Sequence, residues 1–376
     1  MSGGPATTAG LVEEPAAAAP RRATPADTIR PQRDWGHRVT GAPWASYDPD
    51  VGLFVGGGAM LYRYGFRHRP YRYRMALRAG YSTEAQRFRA DFRGDFRRAN
   101  SRLQGSIRAR ASGIDIIRFH GFGNETQAPG PRSRYRVTQA QYSLEAALIT
   151  WLAPHASLSL GPVAKYADTR LGPDQLITAT RPYGANQFGQ LGGRATLAVD
   201  TRDHPVLARH GALLVLDGSF YPAVWDARRS FGAVQSEAAT YLTARMPTQP
   251  TLALRAGGKR VWGTYPFHEA AFLGGASTLR GWAEQRFAGD ASLYGNAELR
   301  LFLTKFDVII PGDLGVFALG DIGRVYLPGE RSDAWHSAVG GGVWVVPFSM
   351  RAGTATVAVA RSRERTGVYF GLGLMF

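Results

Sequence analysis

The chain has 376 residues, enough for two soluble domains or one large barrel. It has no cysteine, which excludes a disulfide framework and any thiolate metal site. The formal charge is +16, from 45 basic and 29 acidic residues, and only Lys165, Lys259 and Lys305 are lysines; this charge is spread along strand-like segments rather than gathered in an arm or patch, so no nucleic-acid partner is expected.

Residues 1–34 are rich in Ala, Pro, Gly and Arg and read as a disordered linker. They hold no apolar core of a secretory signal, so the export signal of a membrane-bound product is expected upstream. In 35–50, Trp35, Trp44 and Tyr47 look like anchors, but Pro43 and Pro49 break strands. Strands are then expected near 52–64, 71–82, 86–97, 102–118, 134–151, 156–168, 188–201, 212–222, 233–245 and 251–263. A long segment, 264–290, precedes strands near 291–304, 314–325, 337–346, 353–362 and 366–376.

The alternation is clearest from Tyr71 to Ser112. Arg72, Arg74 and Arg78 share one parity, and Tyr71, Tyr73, Met75, Leu77, Ala79 and Tyr81 the other. Arg87, Arg89, Asp91, Arg93, Asp95 and Arg97 oppose Phe88, Ala90, Phe92 and Phe96. Arg102, Gln104, Ser106, Arg108 and Arg110 oppose Leu103, Ile107, Ala109 and Ala111. Strand side chains change face at every residue, so each segment is a ribbon with one charged and one apolar face. Adjacent ribbons of this kind suit lipid on one side and a wet lumen on the other.

Mean hydropathy is −0.20 and no apolar run reaches the roughly 18 residues of a spanning helix. Barrel strands need only about 9–11 residues, half of them polar. The 46 glycines and 11% aromatics suit such strands. Further along, Leu191, Ala195, Leu197 and Val199 oppose Gln190, Arg194, Thr196 and Asp200, and Leu293, Ala297, Leu299, Leu301 and Leu303 oppose Asn296, Glu298, Arg300 and Thr304. The segments number fifteen, and single-chain bacterial barrels normally have an even count. A strand within 35–46 would make sixteen. The expected fold is all-β, a transmembrane antiparallel barrel of sixteen strands over 35–376, with long connections at 119–133, 170–187, 224–232, 264–290 and 326–336. Val368, Phe370, Leu372, Leu374 and Phe376 share one parity up to the last residue, and are expected to face lipid and to act as a terminal assembly signal.

Gly274-Gly275-Ala276-Ser277-Thr278-Leu279-Arg280-Gly281-Trp282, followed by Asn296-Ala297-Glu298-Leu299-Arg300, resembles the bacterial surface-antigen family of outer-membrane barrels, the BamA/TamA-like family. Asp200-Thr201-Arg202-Asp203 with Pro205 and Gly211, the strand Phe317–Val325, and Gly340-Gly341-Gly342 before Trp344 match further family pieces in order. The resemblance covers roughly 50–376 and implies that 264–290 folds back into the lumen. It implies that Leu279, Arg280, Gly281 and Trp282 form the motif of that loop, that Arg280 pairs with Glu298 and Asp321, and that Asp200, Arg202 and Asp203 form a periplasmic turn. Trp282 stands where Phe or Tyr is more usual. The periplasmic POTRA modules of many family members do not fit ahead of residue 51. The segments 47–54 and Gly121-Phe122-Gly123-Asn124-Glu125-Thr126 look like family barrels fused behind calcineurin-like phosphoesterase domains.

No enzyme motif is present: no paired His-x-x-x-His, no Gly-x-Ser-x-Gly and no phosphate loop. No cofactor, metal site or enzymatic activity is expected of this chain. The resemblance implies a bacterial outer-membrane location, with outer-membrane lipid and lipopolysaccharide, the barrel assembly machinery and a client polypeptide as partners. It implies help in inserting or translocating polypeptide or lipid. The alternatives are a membrane anchor or conduit for an upstream hydrolase, or a diffusion pore that favours anions because its lumen is arginine-rich. The sequence does not fix an oligomeric state.

Overall fold

Period-two alternation over most of the chain leaves little choice but a sheet. The computed structural model describes residues 35–376 except 42, 49–51, 67, 84, 100, 308–310 and 349; the linker expected at 1–34 lies outside the described residues. Strand β1 (His37–Gly41) and strand β2 (Trp44–Asp48) run end to end along β3 (Gly52–Gly65), with Val39 opposite Leu61 and Ser46 opposite Phe54. Pro43, which has no N–H to give a ladder, sits at the break. There follow β4 (His68–Ser82), β5 (Arg87–Arg97), β6 (Leu103–Arg118), β7 (Arg136–Ala153), β8 (Ala156–Arg170), β9 (Gln187–Asp200), β10 (Gly211–Tyr221), β11 (Phe231–Thr243) and β12 (Thr251–Gly263). A small separate hairpin, β13 (Ala271–Leu273) and β14 (Phe287–Gly289), interrupts the series. The large sheet resumes with β15 (Ala291–Asp307), β16 (Pro311–Tyr326), β17 (His336–Pro347), β18 (Ala355–Ser362) and β19 (Thr366–Leu372).

Each large-sheet strand pairs antiparallel with the next, and β12 pairs with β15 across the inserted hairpin. The sheet has 17 strands, and β1 and β2 share one position, so the barrel wall has sixteen. The strand missing from the fifteen sequence segments is the interrupted one at 37–48. Among the described residues no helix is long and apolar enough to cross a membrane, so the crossing falls to strands.

The two faces separate cleanly. Leu144, Leu148, Leu160, Val339 and Phe370 are 54–75% exposed and form the apolar outer wall. Their strand neighbours point inward, where Gln139, Gln190, Glu298, Arg300 and Asp321 are buried. The ladders satisfy the backbone, leaving only side chains to meet lipid. Long connections 119–135, 171–186, 222–230, 264–290 and 327–335 share one end of the barrel, while 154–155 and 244–250 close the other. The connection 171–186 carries a one-turn helix, Leu176–Thr180, whose Ile177 is fully buried against Phe119 and Phe267.

Two expectations are corrected. Tyr71 does not sit on the lipid face: it is buried, and the guanidinium carbons of Arg97 and Arg74 lie 4.5 and 5.6 Å from its ring, while Arg72 is exposed. The alternation of β4 is therefore inverted at its start, beside the irregularity at Arg63–Gly65 in β3. The final segment is also not one strand to residue 376. Val368, Phe370 and Leu372 do face outward, 56, 75 and 59% exposed, but β19 ends at Leu372. Gly373, at φ +96°, turns the chain, and Leu374 and Phe376 pack inside the barrel rather than against lipid.

Candidate functional site

The insert between β12 and β15 fills the lumen. Its sequence is mostly apolar with small residues, so it can fold as a compact unit without long strands. Tyr265 anchors the start by donating its hydroxyl to Asp290 at the end. A single turn at Phe267–Glu269 leads into the β13–β14 hairpin. At the tip, Thr278 donates its hydroxyl to the Gly274 carbonyl at 3.0 Å, and the Leu279 N–H reaches the Gly275 carbonyl at 3.1 Å. Leu273, Leu279, Trp282 and Phe287 then pack on Tyr294, Val325 and Ala338 of the wall.

Arg280 meets both acids assigned to it. Its Nε and Nη2 donate to Asp321 Oδ2 and Oδ1 at 2.8 and 2.7 Å, a two-pronged pairing, and its backbone N–H adds a third bond to Oδ2 at 2.9 Å. Nη1 donates to Glu298 Oε1. Glu298 Oε2 accepts from Arg300 Nε and Nη2 at 2.9 and 2.7 Å, and Arg300 Nη2 also reaches the Phe376 carbonyl at 2.7 Å. Arg280, Glu298, Arg300 and Asp321 are each at most 4% exposed. Among the side chains, two positive and two negative charges alternate and balance, as burial demands.

The flanking motif residues hold the tip against the last strands. Gly281 donates its N–H to Tyr369 Oη at 2.7 Å and accepts from Ser362 Oγ at 2.8 Å. At φ +83° a side chain would be strained, and a Cβ would lie 3.0 Å from that of Ala338. Trp282 donates Nε1–H to the Ser337 carbonyl at 3.1 Å, and its ring packs on Phe287 and His336.

Sequence reasoning missed three further anchors. Glu269 is buried and accepts from Lys165 Nζ and Gln190 Nε2, both at 2.8 Å; Lys259 Nζ donates to the Glu269 carbonyl at 2.8 Å. Burial alone would raise the Glu269 pKa, but Lys165 and Lys259 reverse this and hold it well below the usual carboxylate range. Two of the three lysines thus serve one carboxylate, a signal visible only in the rarity of lysine. Arg286, also buried, places Nε 2.9 Å from both Glu364 oxygens and donates to Thr126 Oγ1 and the Thr126 carbonyl at 2.8 and 2.6 Å.

The third anchor is Asn124, fully buried within the segment 121–126. Its Nδ2 donates to Ser332 Oγ and the Ala334 carbonyl at 2.9 and 2.8 Å, and its Oδ1 accepts from the Val325 N–H at 3.0 Å. Its own N–H reaches the Glu330 carboxylate, 2.9 Å from either oxygen, and Gly123 donates to the Ala288 carbonyl of β14 at 2.8 Å. Asn124 therefore ties 119–135, 327–335 and the insert into one cap. Asn124→Ala strands the Val325 N–H, at about 1–3 kcal/mol for a donor left buried and unpaired, and removes the donor that holds Ser332 Oγ and the Ala334 carbonyl. Limited proteolysis should then cut 119–135 and 327–335 readily while the sixteen-strand wall keeps its heat-modifiable mobility. Unchanged protease resistance would remove Asn124 as the keystone.

The turn 201–210 lies at the opposite end. Asp200 is chelated by Arg202 through N–H, Nε and Nη2 at 3.0, 2.9 and 2.9 Å. Asp203 Oδ1 accepts from the Arg209 and His210 N–H groups at 2.8 and 3.1 Å, and Oδ2 meets Arg351 Nη1 at 2.6 Å. Burial would raise the Asp203 pKa; these donors, with the Arg351 charge, lower it instead. The turn reaches into the barrel mouth: Leu207 packs with Phe317, Trp344 and Leu374, and Ala208 with Tyr241 and Phe376. Among the described residues, no group of three His, Asp or Glu could hold a metal ion.

This geometry can be set beside known proteins. The sequence matches the Omp85 superfamily domain over residues 73–375. The chain belongs to the Omp85 superfamily. It is a bacterial outer-membrane β-barrel protein. Among solved structures, the fold is similar to BamA from Haemophilus ducreyi lacking POTRA domains 1–3, with a TM-score of 0.62 at 10% identity, covering 89% of this chain and 68% of that one. It is also similar to CdiB from Escherichia coli, with a TM-score of 0.56 at 12% identity, covering 88% of this chain and 62% of that one. CdiB from Acinetobacter baumannii matches with a TM-score of 0.50 at 12% identity, over 90% of this chain and 59% of that chain. At such identities the likeness is one of fold, and no curated sequence matches the chain. This Omp85 barrel shares its overall fold with those structures at little sequence in common.

Proposed function

We propose that this Omp85 barrel assists the insertion or translocation of polypeptide or lipid at the outer membrane, using its wall rather than an open lumen and forming no covalent intermediate. The observation that carries this reading is the insert, anchored through buried ion pairs to β8, β15 and β16 and so occupying the lumen. A lumen occupied in this way is a poor diffusion pore. The pairings run from β1 and β2 on β3 at one end to β18 and β19 at the other. These end strands are short, five residues each for β1 and β2 and seven for β19, against eighteen for β7. Fewer ladder bonds make a seam between them the cheapest part of the wall to open.

The test uses the absence of native cysteine. The purified chain, reconstituted in phospholipid vesicles, should accelerate assembly of a urea-unfolded client barrel. Cysteine pairs joining β2 to β19 should abolish that acceleration when oxidised and restore it on reduction. No acceleration by the unmodified chain, or none lost on oxidation, rejects this reading. A second reading, anchor or conduit for a hydrolase upstream of residue 1, draws on one observation: the segment 121–126, similar to barrels behind phosphoesterase domains, is built into the cap through Asn124.

A further inference from the structure

We propose that a groove in the outer wall of β8–β12 is a binding site for one acidic, phosphate-bearing lipid, with an acyl chain lying in the groove and the phosphate on Arg260. Register brings small residues together there. Gly193 on β9 lies between Pro162 of β8 and Phe220 of β10, and Gly218, one row on, lies between Ala195 of β9 and Val234 of β11. Around them Leu160, Leu191, Phe220 and Trp262 project outward, 44–61% exposed, and surround about 710 Å³ of open volume. That lies within the roughly 300–1,000 Å³ of small-molecule sites. The packing of the wall does not require these two glycines. A Cβ on Gly193 or Gly218 would meet no atom closer than 4.0 Å, and neither residue has a positive φ. At Gly161 and Gly192, by contrast, a Cβ would run into the carbonyls of Ala146 and Phe220. Glycine inside a strand weakens it, and often marks a place where another molecule approaches the backbone closely.

Lipid tails are as apolar as leucine, so an apolar wall alone selects no lipid. Shape and charge do. An acyl chain can reach the floor of the groove, whereas the flat wall of a second barrel would rest on the rim and leave the floor without contacts. The charge is Arg260. Lys259 points inward to Glu269 and Val261 is fully buried, so Arg260 between them points outward, and it is exposed. Register sets it opposite Val234, in the same row as Gly218. Among the described residues Arg260 forms no ion pair. Asp290, next to its ladder partner Ala291, accepts the Tyr265 hydroxyl instead. An arginine on the lipid face is costly away from the interface. A phosphate offsets that cost by accepting a two-pronged guanidinium bond. The connection 222–230 adds Arg228 and Arg229, both exposed, while its Asp226 accepts from the Gly189 N–H at 2.7 Å. This end of the barrel carries the long connections, and Trp225 and Trp262 are exposed there as interface aromatics. The site lies away from the seam of the end strands, and lipid held there needs no opening of the wall.

Isothermal titration of the full chain in maltoside micelles tests this, with short-chain phosphatidic acid and phosphatidylcholine dissolved in the same micelles so that apolar transfer cancels. Phosphatidic acid should bind saturably, one per chain, and more tightly than phosphatidylcholine. Gly193→Leu with Gly218→Leu fills the groove from positions where a Cβ has room, so heat-modifiable mobility should persist while phosphatidic acid binds about tenfold more weakly. Arg260→Gln should erase the preference between the two lipids. Two controls should leave binding unchanged: Gly320→Leu, which adds a side chain in open space on the outer face of β16, and Arg245→Gln, which removes a charge from the exposed connection at the other end. Lack of saturable binding, equal affinity of the native chain for both lipids, or full affinity in Gly193→Leu/Gly218→Leu overturns the proposal. So does a preference kept in Arg260→Gln, or a loss in Gly320→Leu as large as in the filled groove. A native dimer that Gly193→Leu/Gly218→Leu dissociates would give the groove to a second copy of the chain, and overturns it as well.

Discussion

Arg280→Ala is expected to release the insert from the barrel wall. The substitution leaves Asp321 with no cation and Glu298 with Arg300 alone, at a site where all these groups are at most 4% exposed. Removing one partner of a buried ion pair costs about 3–5 kcal/mol, because the remaining charge cannot reach water. The strands do not depend on Arg280 for their ladders, so the loss should be local. The insert should become a protease substrate at 274–286 while heat-modifiable mobility survives. Arg280→Lys keeps the charge but not the fork to Asp321, and should fall between alanine and the native residue. Protection of the insert in the alanine variant equal to that in the native chain would show that Trp282 and Leu279 hold it without the ion pairs.

The wall was legible because lipid enforces a rule at every second residue. Where that rule relaxes, the sequence misleads. Pro43 disguised the first strand, which survives as β1 and β2 only because both halves pair with the same β3. Leu374 and Phe376 kept the outward parity on paper, but parity says nothing once Gly373 has turned the chain, and Phe376 ends beside Tyr241 and Arg300. Arg280 and its two acids were recognisable from the family motifs, with which the lumen parity of Glu298 and Asp321 agrees. Glu269 was not, because a single glutamate in a connection looks solvated until the strands bearing Lys165 and Lys259 are brought around it. Asn124 fell between these cases: its glycine-flanked segment was noticed, but its partners lie about two hundred residues away in sequence.

Glu269→Gln is expected to loosen the root of the insert as strongly as Arg280→Ala loosens its tip. The amide has nearly the same shape, so packing is retained and the effect isolates charge. Lys165 and Lys259 then lie in the interior without a counter-charge, a loss of about 3–5 kcal/mol. Lys165→Met in the same chain should restore part of that loss, since an apolar residue there needs no partner. Urea unfolding followed by gel mobility reads both variants, and a single variant as resistant as the native chain would mean that lumen water solvates the lysines. Acid should imitate the substitution. Burial, the largest influence, lowers the neighbouring His268 pKa from 6.5 to about 3, and burial followed by the Arg286 charge lowers that of His120 to about 4. An unfolded chain takes up these protons near pH 6.5 and the folded chain resists, so the unfolded state binds more protons across that window and stability falls as pH falls. The lowered pKa of Glu269 acts with the same sign below its ordinary value of 4.5, where protonation removes the charge facing the lysines. Protease resistance of the insert should therefore decline between pH 6.5 and pH 4 through His268 and His120, and decline again below pH 4.5 through Glu269, a second loss that Glu269→Gln, with no carboxylate there, should lack.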